Sequence, residues 1–421
     1  MKKSLIVLGL FMVGLLSGCQ IAPFSSKSPK PQMSVEKKDQ SLMAFFLWTY
    51  CPNHICTTVN IDLVNYAVNT VEDTADNHGL NYTPPNNADI GTFKEVVADI
   101  LARRWQSAQQ KAQSIQYEIV RVNDTGEVAG CDKTAFHMLR PTGNGVHTTY
   151  GYYFFRAHNA PRRDMVVEAP HVGNEGGTAR LGAELFRNQR ARVLALSSNH
   201  RCDSELPDFN NNQNDQVCSG QTKVCSDDKQ TNQPYRESDV AHTPQSYFQA
   251  FHQVLNDNTT MPFIQLHGKG AYSPAFILSN GKKITSQNLN VHVNALSMKL
   301  IQRINAYLGV LQQPTKVGAS CSWSGNGALV NSTELCATKN TQGRYSNYQG
   351  NEIGGDVCTD TPGNVTERFY HVELSLDMRD DSQSSQHDIP RQMLGGAIST
   401  VTANGSKLFP LLNSKFPCRA P

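Results

Sequence analysis

Apolar residues along the chain follow two rhythms. Between residues 92 and 115, Val97, Ile100, Leu101, Trp105, Ala108, Ala112 and Ile115 return at helical spacing. Thr92-Phe93-Lys94-Glu95 ahead of them has the Thr-x-x-Glu form of a capping box. Residues 116–122, 135–139 and 150–156 read as strands. From Met165 onward strand and helix alternate. Met165–Val167, Val193–Leu196, Pro262–Leu266, Ala275–Leu278 and Phe369–Leu374 are strand runs. Helices are predicted from Thr178, over Pro244–Leu255 and Leu289–Leu308, and over 390–402. Residues 199–240 and 321–362 are polar, cysteine-bearing loops, and 41–71 carries apolar runs that predict short helices before an Asn/Pro-rich loop at 72–89. The alternation predicts an α/β fold: an open, mostly parallel mixed sheet flanked by helices, with disulfide-bearing loop insertions.

In such sheets sites lie beyond the carboxyl ends of the strands. His171, His267 and Glu373 all fall there. His171 and Glu175 share a glycine-rich turn, Pro170-His171-Val172-Gly173-Asn174-Glu175-Gly176-Gly177, which can bend tightly enough to bring both side chains to one point. Imidazole and carboxylate are good zinc ligands, and His267 would complete a His-Glu-His set with a position left for water. Glu175 would equally suit the positive end of the helix from Thr178, and a histidine at a strand end is often structural. Glu168, inside the preceding strand, is the substitute ligand if Glu175 is not one. Arg201, Arg344 and Arg379 are candidates for binding a substrate carboxylate, since a guanidinium fork matches it, and His200 is a further polar candidate at the same edge. No P-loop or dinucleotide fingerprint occurs, and Ser322 and Asn326 stand where a Gly-x-Ser-x-Gly elbow at Ser324 needs glycines.

Composition changes the picture mainly through the N-terminus. Two lysines and an apolar run from Leu5 to Leu16 make a secretory leader, too short to span a membrane comfortably. Leu16-Ser17-Gly18-Cys19 resembles the bacterial lipobox, which implies cleavage after Gly18 and lipidation of Cys19. Gln20, rather than Asp, follows, which favours the outer membrane. The expected layout is a leader at 1–18, a lipidated cysteine and Pro/Ser/Lys-rich tether at 19–40, an N-terminal extension at 41–90 and the α/β domain at 91–421. Of 11 cysteines, lipidation takes one, and the rest are expected in disulfides, with Cys51 and Cys56 paired by their closeness. Lys+Arg 38 against Asp+Glu 36 leaves no basic excess for nucleic acid, so no nucleic-acid partner is expected.

The segment Val166–Thr178 resembles the first zinc motif of zinc carboxypeptidase-like amidohydrolases, nearest to phage-type poly-γ-glutamate hydrolases and N-formylglutamate amidohydrolases. Phe263–Gly268 is similar to their strand ending in a His-Gly ligand, and Tyr370–Arg379 to their C-terminal Glu-Leu-Ser…Arg strand. The likeness spans roughly residues 92–412. The His-x-x-x-Glu spacing departs from the His-x-x-Glu of zinc carboxypeptidases and is one residue shorter than that of the phage-type enzymes. The resemblance implies a catalytic domain that hydrolyses peptide or γ-glutamyl amide bonds in a carboxylate-bearing substrate, with peptidoglycan-derived peptides among the candidates, with Zn2+ held by His171, Glu175 and His267 and with Glu373 as general base and acid. The other expectation is a lipoprotein that keeps the fold as a non-catalytic binding module.

Overall fold

A computed structural model describes residues 51–75, 82–126, 136–142, 150–157, 162–206, 217–225, 232–270, 273–281, 291–310, 314–321, 327–347, 356–359, 368–379, 402–403, 406–407 and 411–412. The leader, Cys19, the tether and the helix expected over 390–402 therefore lie outside the described residues, apart from a strand at Thr402–Ala403. All described residues belong to one compact unit, Phe46–Pro421.

The strands in chain order are β1 (Thr58–Ile61), β2 (Tyr117–Asp124), β3 (Phe136–Pro141), β4 (Tyr152–Arg156), β5 (Arg162–Ala169), β6 (Ala191–Leu196), β7 (Gln221–Thr222), β8 (Gln233–Pro234), β9 (Phe263–Gly268), β10 (Phe276–Ser279), β11 (Gly318–Ser320), β12 (Leu329–Asn331) and β13 (Phe369–Leu374). The helices are α1 (63–75, with a π-type middle), α2 (Asn87–Leu101), α3 (Trp105–Ser114), α4 (Thr178–Asn188), α5 (Tyr247–Asn258), α6 (Val291–Val310) and α7 (Thr341–Asn347). One large mixed sheet runs β1-β2-β3-β4-β6-β5-β9-β13-β10-β11-β12, with Leu411–Leu412 paired to β5. Its centre, β6-β5-β9-β13, is wholly parallel, and β4 and β10 flank it antiparallel. None of the described helices is long and apolar enough to cross a membrane.

Alternate residues of the central strands are buried on opposite faces. Val167, Leu194, Leu196, Ile264, Leu266, Tyr370 and Val372 face one core, which α1, α4 and α6 complete. Val166, Val193, Ala195, Phe263 and Phe369 face the other, with α2, α3 and α5. On this second face the apolar row stops partway. Towards the carboxyl ends it continues as Glu168, Gln265, His267, His371 and Glu373, all buried. Polar side chains buried at every second position of a core strand must each find hydrogen-bond partners there.

Three expectations change. The helix over 92–115 is two helices. Asn86 caps the first, its side chain accepting the N–H of Asp89 at 2.9 Å, so Thr92 lies inside it rather than at its start. Asp99 ends it and begins the next: it is buried, yet it takes Arg104 Nε at 2.6 Å, Ser107 Oγ at 2.6 Å and Lys111 Nζ at 3.0 Å, while Arg103 turns to φ 61°. Within 41–71, residues 58–61 form a strand, because Val59 and Ile61 alternate with exposed or half-buried neighbours along the sheet edge. The 321–362 loop contains β12 and α7. The cysteine expectation meets four described disulfides: Cys51–Cys56, Cys202–Cys225, Cys218–Cys358 and Cys321–Cys336.

Candidate metal centre

The four central parallel strands end at one edge of the sheet and deliver four chain segments there. After β5 the chain makes a helical turn in which the N–H of Glu175 donates to His171 O at 2.8 Å, so residues four apart point the same way. The glycines serve contact as much as bending. A Cβ on Gly173 would lie 2.3 Å from Ala75 O of α1, and one on Gly177, at φ 84°, 2.2 Å from Arg379 O. The turn is thus clamped between α1 and the segment after β13.

Donor atoms of His171, Glu175 and His267 all lie within 4.8 Å of one another, and all three residues are buried. His171 Nδ1 is 3.0 Å from Glu175 Oε1, and His267 Nδ1 is 3.4 Å from Glu175 Oε2. The Gly268 N–H donates to Glu175 Oε2 at 2.8 Å and fixes the carboxylate. Glu168, the substitute, lies deeper, bonded to His252 Nδ1 at 2.8 Å. Glu373 stands opposite His267 in the β9–β13 register, 3.4 Å from His371 Nε2. His267, His371 and Glu373 make a second set of neighbouring donors, and the His371 ring lies 4.4 Å from that of His267.

Asp239 was not foreseen from the sequence. It sits on the disulfide-bearing insertion, buried, with Oδ1 2.8 Å from His171 Nε2 and Oδ2 2.6 Å from Arg201 Nη2. A carboxylate only accepts, so Nε2 of His171 carries the proton. Nδ1 then faces the Glu175 carboxylate, and either a proton or a metal cation between them satisfies that contact. Two imidazoles and one carboxylate are a donor set that suits zinc, and the residues present therefore fit a metal ion.

Charge is strongly interdependent here. Burial opposes ionisation of Glu175, but His171 and His267 outweigh it and hold its carboxyl well below the usual range. Burial also opposes Asp239, which Arg201 chiefly keeps ionised. His171 is held up by Glu175 and Asp239 against burial and Arg201. Burial, then the Glu175 charge, push Glu373 up.

The candidate arginines separate. Arg201 is in the site, its Nη1 3.5 Å from Glu175 Oε1. Arg379 bonds the carbonyls of Gly176, Leu374 and Lys269, bracing the turn. Arg344 bonds those of Thr338, Val357 and Cys358. His200 Nε2 is 3.2 Å from Asn174 Nδ2 on the rim of the same turn.

No family model and no curated protein matches this chain. Among solved structures, thrombin-activatable fibrinolysis inhibitor is similar at 10% identity over 72% of both chains, with a TM-score of 0.29. The bovine inhibitor in complex with tick carboxypeptidase inhibitor is similar at 8% identity over 75% of this chain and 95% of that one, with a TM-score of 0.31. Likeness at this level decides nothing about chemistry, and the donor geometry stands on its own.

Proposed function

We propose that the protein is a zinc-dependent hydrolase of amide bonds, peptide or γ-glutamyl, in a substrate that carries a carboxylate. We further propose that lipid on Cys19 holds it to a bacterial outer membrane, facing the periplasm or the exterior. One observation supports the chemistry: the buried donors of His171, Glu175 and His267 lie within 4.8 Å of one another, with Glu373 next to His267 on the adjoining strand. Zinc held there would supply Lewis acidity, making water a nucleophile near neutral pH and polarising an amide carbonyl.

The chain's own groups supply the remainder. Glu373 accepts the proton of the attacking water and passes it to the departing nitrogen. Arg201, oriented by Asp239, sets a fixed positive charge beside the donors, where a developing oxyanion or a substrate carboxylate is stabilised. Peptidoglycan stem peptides and γ-glutamyl peptides are the substrates to screen first. The test is metal analysis joined to hydrolysis. Wild type should carry zinc and lose activity to a chelator. Glu373→Gln should keep the zinc and lose roughly 10²–10⁴ in rate. His267→Ala with wild-type zinc content would refute the ligand set.

A further inference from the structure

A histidine can hold a metal only through an unprotonated nitrogen, and a neutral ring carries its one proton on either Nδ1 or Nε2. For His171 a carboxylate makes the choice. For His267 an amide does, and an amide can face either way. Its partner is Gln265, whose Oε1 lies 2.9 Å from His267 Nε2. Gln265 sits between Ile264 and Leu266 in β9 and is fully buried.

Groups that cannot be reversed decide which way this amide faces. Glu168 Oε2, an acceptor only, is 3.1 Å from Gln265 Nε2. Gln342 donates through Nε2 to the Val240 carbonyl at 2.9 Å, so its Oε1 is what meets Gln265 Nε2, at 3.2 Å. Asn340 Oδ1 accepts the Gly343 N–H at 2.8 Å, so its Nδ2 is what donates to Gln265 Oε1, at 2.6 Å. Glu168 is itself held by His252 Nδ1 at 2.8 Å, and His252 Nε2 meets Ser346 Oγ at 2.8 Å. That carboxylate–imidazole–hydroxyl order resembles a nucleophilic triad. All three side chains are buried, however, with Ser346 only 2% exposed, so they act as a foundation rather than as a reaction centre. Both ends of the Gln265 amide are thereby fixed by backbone groups and a carboxylate, and the end that meets His267 is the oxygen.

We infer that Gln265 is a positioning residue for the metal centre: by accepting from Nε2–H it holds His267 in the tautomer whose Nδ1 lone pair faces Glu175. This rests on the metallohydrolase reading above. A polar network in a core strand is more exacting than an apolar filling, which gives it no advantage for stability alone.

The test uses the full chain loaded with zinc and labelled with 15N at histidine, the His267 signals being assigned by loss in His267→Asn. Wild type should show His267 with a slowly exchanging Nε2–H and an unprotonated Nδ1. Gln265→Met should lose the slow exchange and bind zinc about 10- to 100-fold more weakly in a chelator competition. Glu168→Gln, which removes one of the three groups that orient the amide and leaves Gln342 and Asn340 in place, should weaken zinc in the same direction but by less. Wild-type protein that binds no zinc overturns the metallohydrolase reading and this inference with it. Zinc bound with His267 carrying Nδ1–H, or Gln265→Met affinity within about twofold of wild type, overturns this inference alone. The wild-type spectrum decides even if Gln265→Met fails to fold.

Discussion

Replacing Asp239 by Asn probes the site through its electrostatics while leaving its shape intact. Asp239 Oδ1 lies 2.8 Å from His171 Nε2, and Oδ2 lies 2.6 Å from Arg201 Nη2 and 3.1 Å from Nε. Asn can still accept from the imidazole, but the negative charge is gone and one carboxylate oxygen becomes a donor facing a guanidinium. Carboxylates bonded to ligand histidines typically account for a 10- to 100-fold change in metal affinity, which is about 1.4–2.7 kcal/mol. Folding without metal should suffer separately. Removing one partner of a buried pair costs about 3–5 kcal/mol, and the low end, about 3, is expected because Glu175 remains 3.5 Å from Arg201 Nη1. Zinc affinity measured against a chromophoric chelator, together with urea unfolding in EDTA, separates the two effects. If stability falls while affinity stays within about twofold of wild type, Asp239 is only the counter-ion of Arg201 and its bond to His171 does not matter.

Other outcomes can be checked directly. Burial depresses His137 from 6.5 to about 3, and its Nε2 accepts the Cys51 N–H at 3.0 Å. Only the unfolded chain takes up the proton as pH falls from about 6.5, so this group should cost about 2 kcal/mol of stability by pH 5 and nothing above 7. Urea unfolding at pH 7.5 and pH 5 should therefore show His137→Asn losing less between the two values than wild type; equal losses would refute this. Gly173→Ala drives a methyl into Ala75 O and should lower both Tm and zinc content, because it displaces the turn that carries Glu175. The Cys218→Ser, Cys358→Ser double variant opens a link across 140 residues and should lose up to about 5 kcal/mol in denaturant unfolding. Cys19→Ser should move the protein from the membrane fraction to the soluble one on cell fractionation; retention in the membrane would refute the anchor.

The central strands were legible in the sequence because burial on both faces makes them short, nearly continuous apolar runs bounded by turn residues. The polar interruptions were legible too. Gln265 and His267, like His371 and Glu373, stand two apart in otherwise apolar strands and so share one face. That signal marks Gln265 and His371 as strongly as His267 and Glu373. Asp239 had no such signal: it lies in a polar insertion, and only the fold carries that loop back over His171. The Thr92 motif misled because Asn86 offers a competing cap six residues earlier, and local pattern does not rank the two. Arg379, after the Glu373 strand, and Arg344, in a polar loop, are carboxylate-binding candidates by residue type and position. Their placement against backbone carbonyls depends on packing between distant segments.

The insertion between β6 and α5 is tied down by sulfur. It carries Arg201 at one end and Asp239 at the other, and it is closed by Cys202–Cys225 and anchored by Cys218–Cys358. The candidate ligands sit on β9 and on the turn after β5, whereas Arg201 and Asp239 sit on a loop held by oxidised sulfur. In a reducing compartment neither clasp forms, and the loop that carries Arg201 and Asp239 loses its covalent ties. For the exported protein proposed above, the electrostatic half of the cradle would then be fastened only by oxidation, once the chain has left the cytosol.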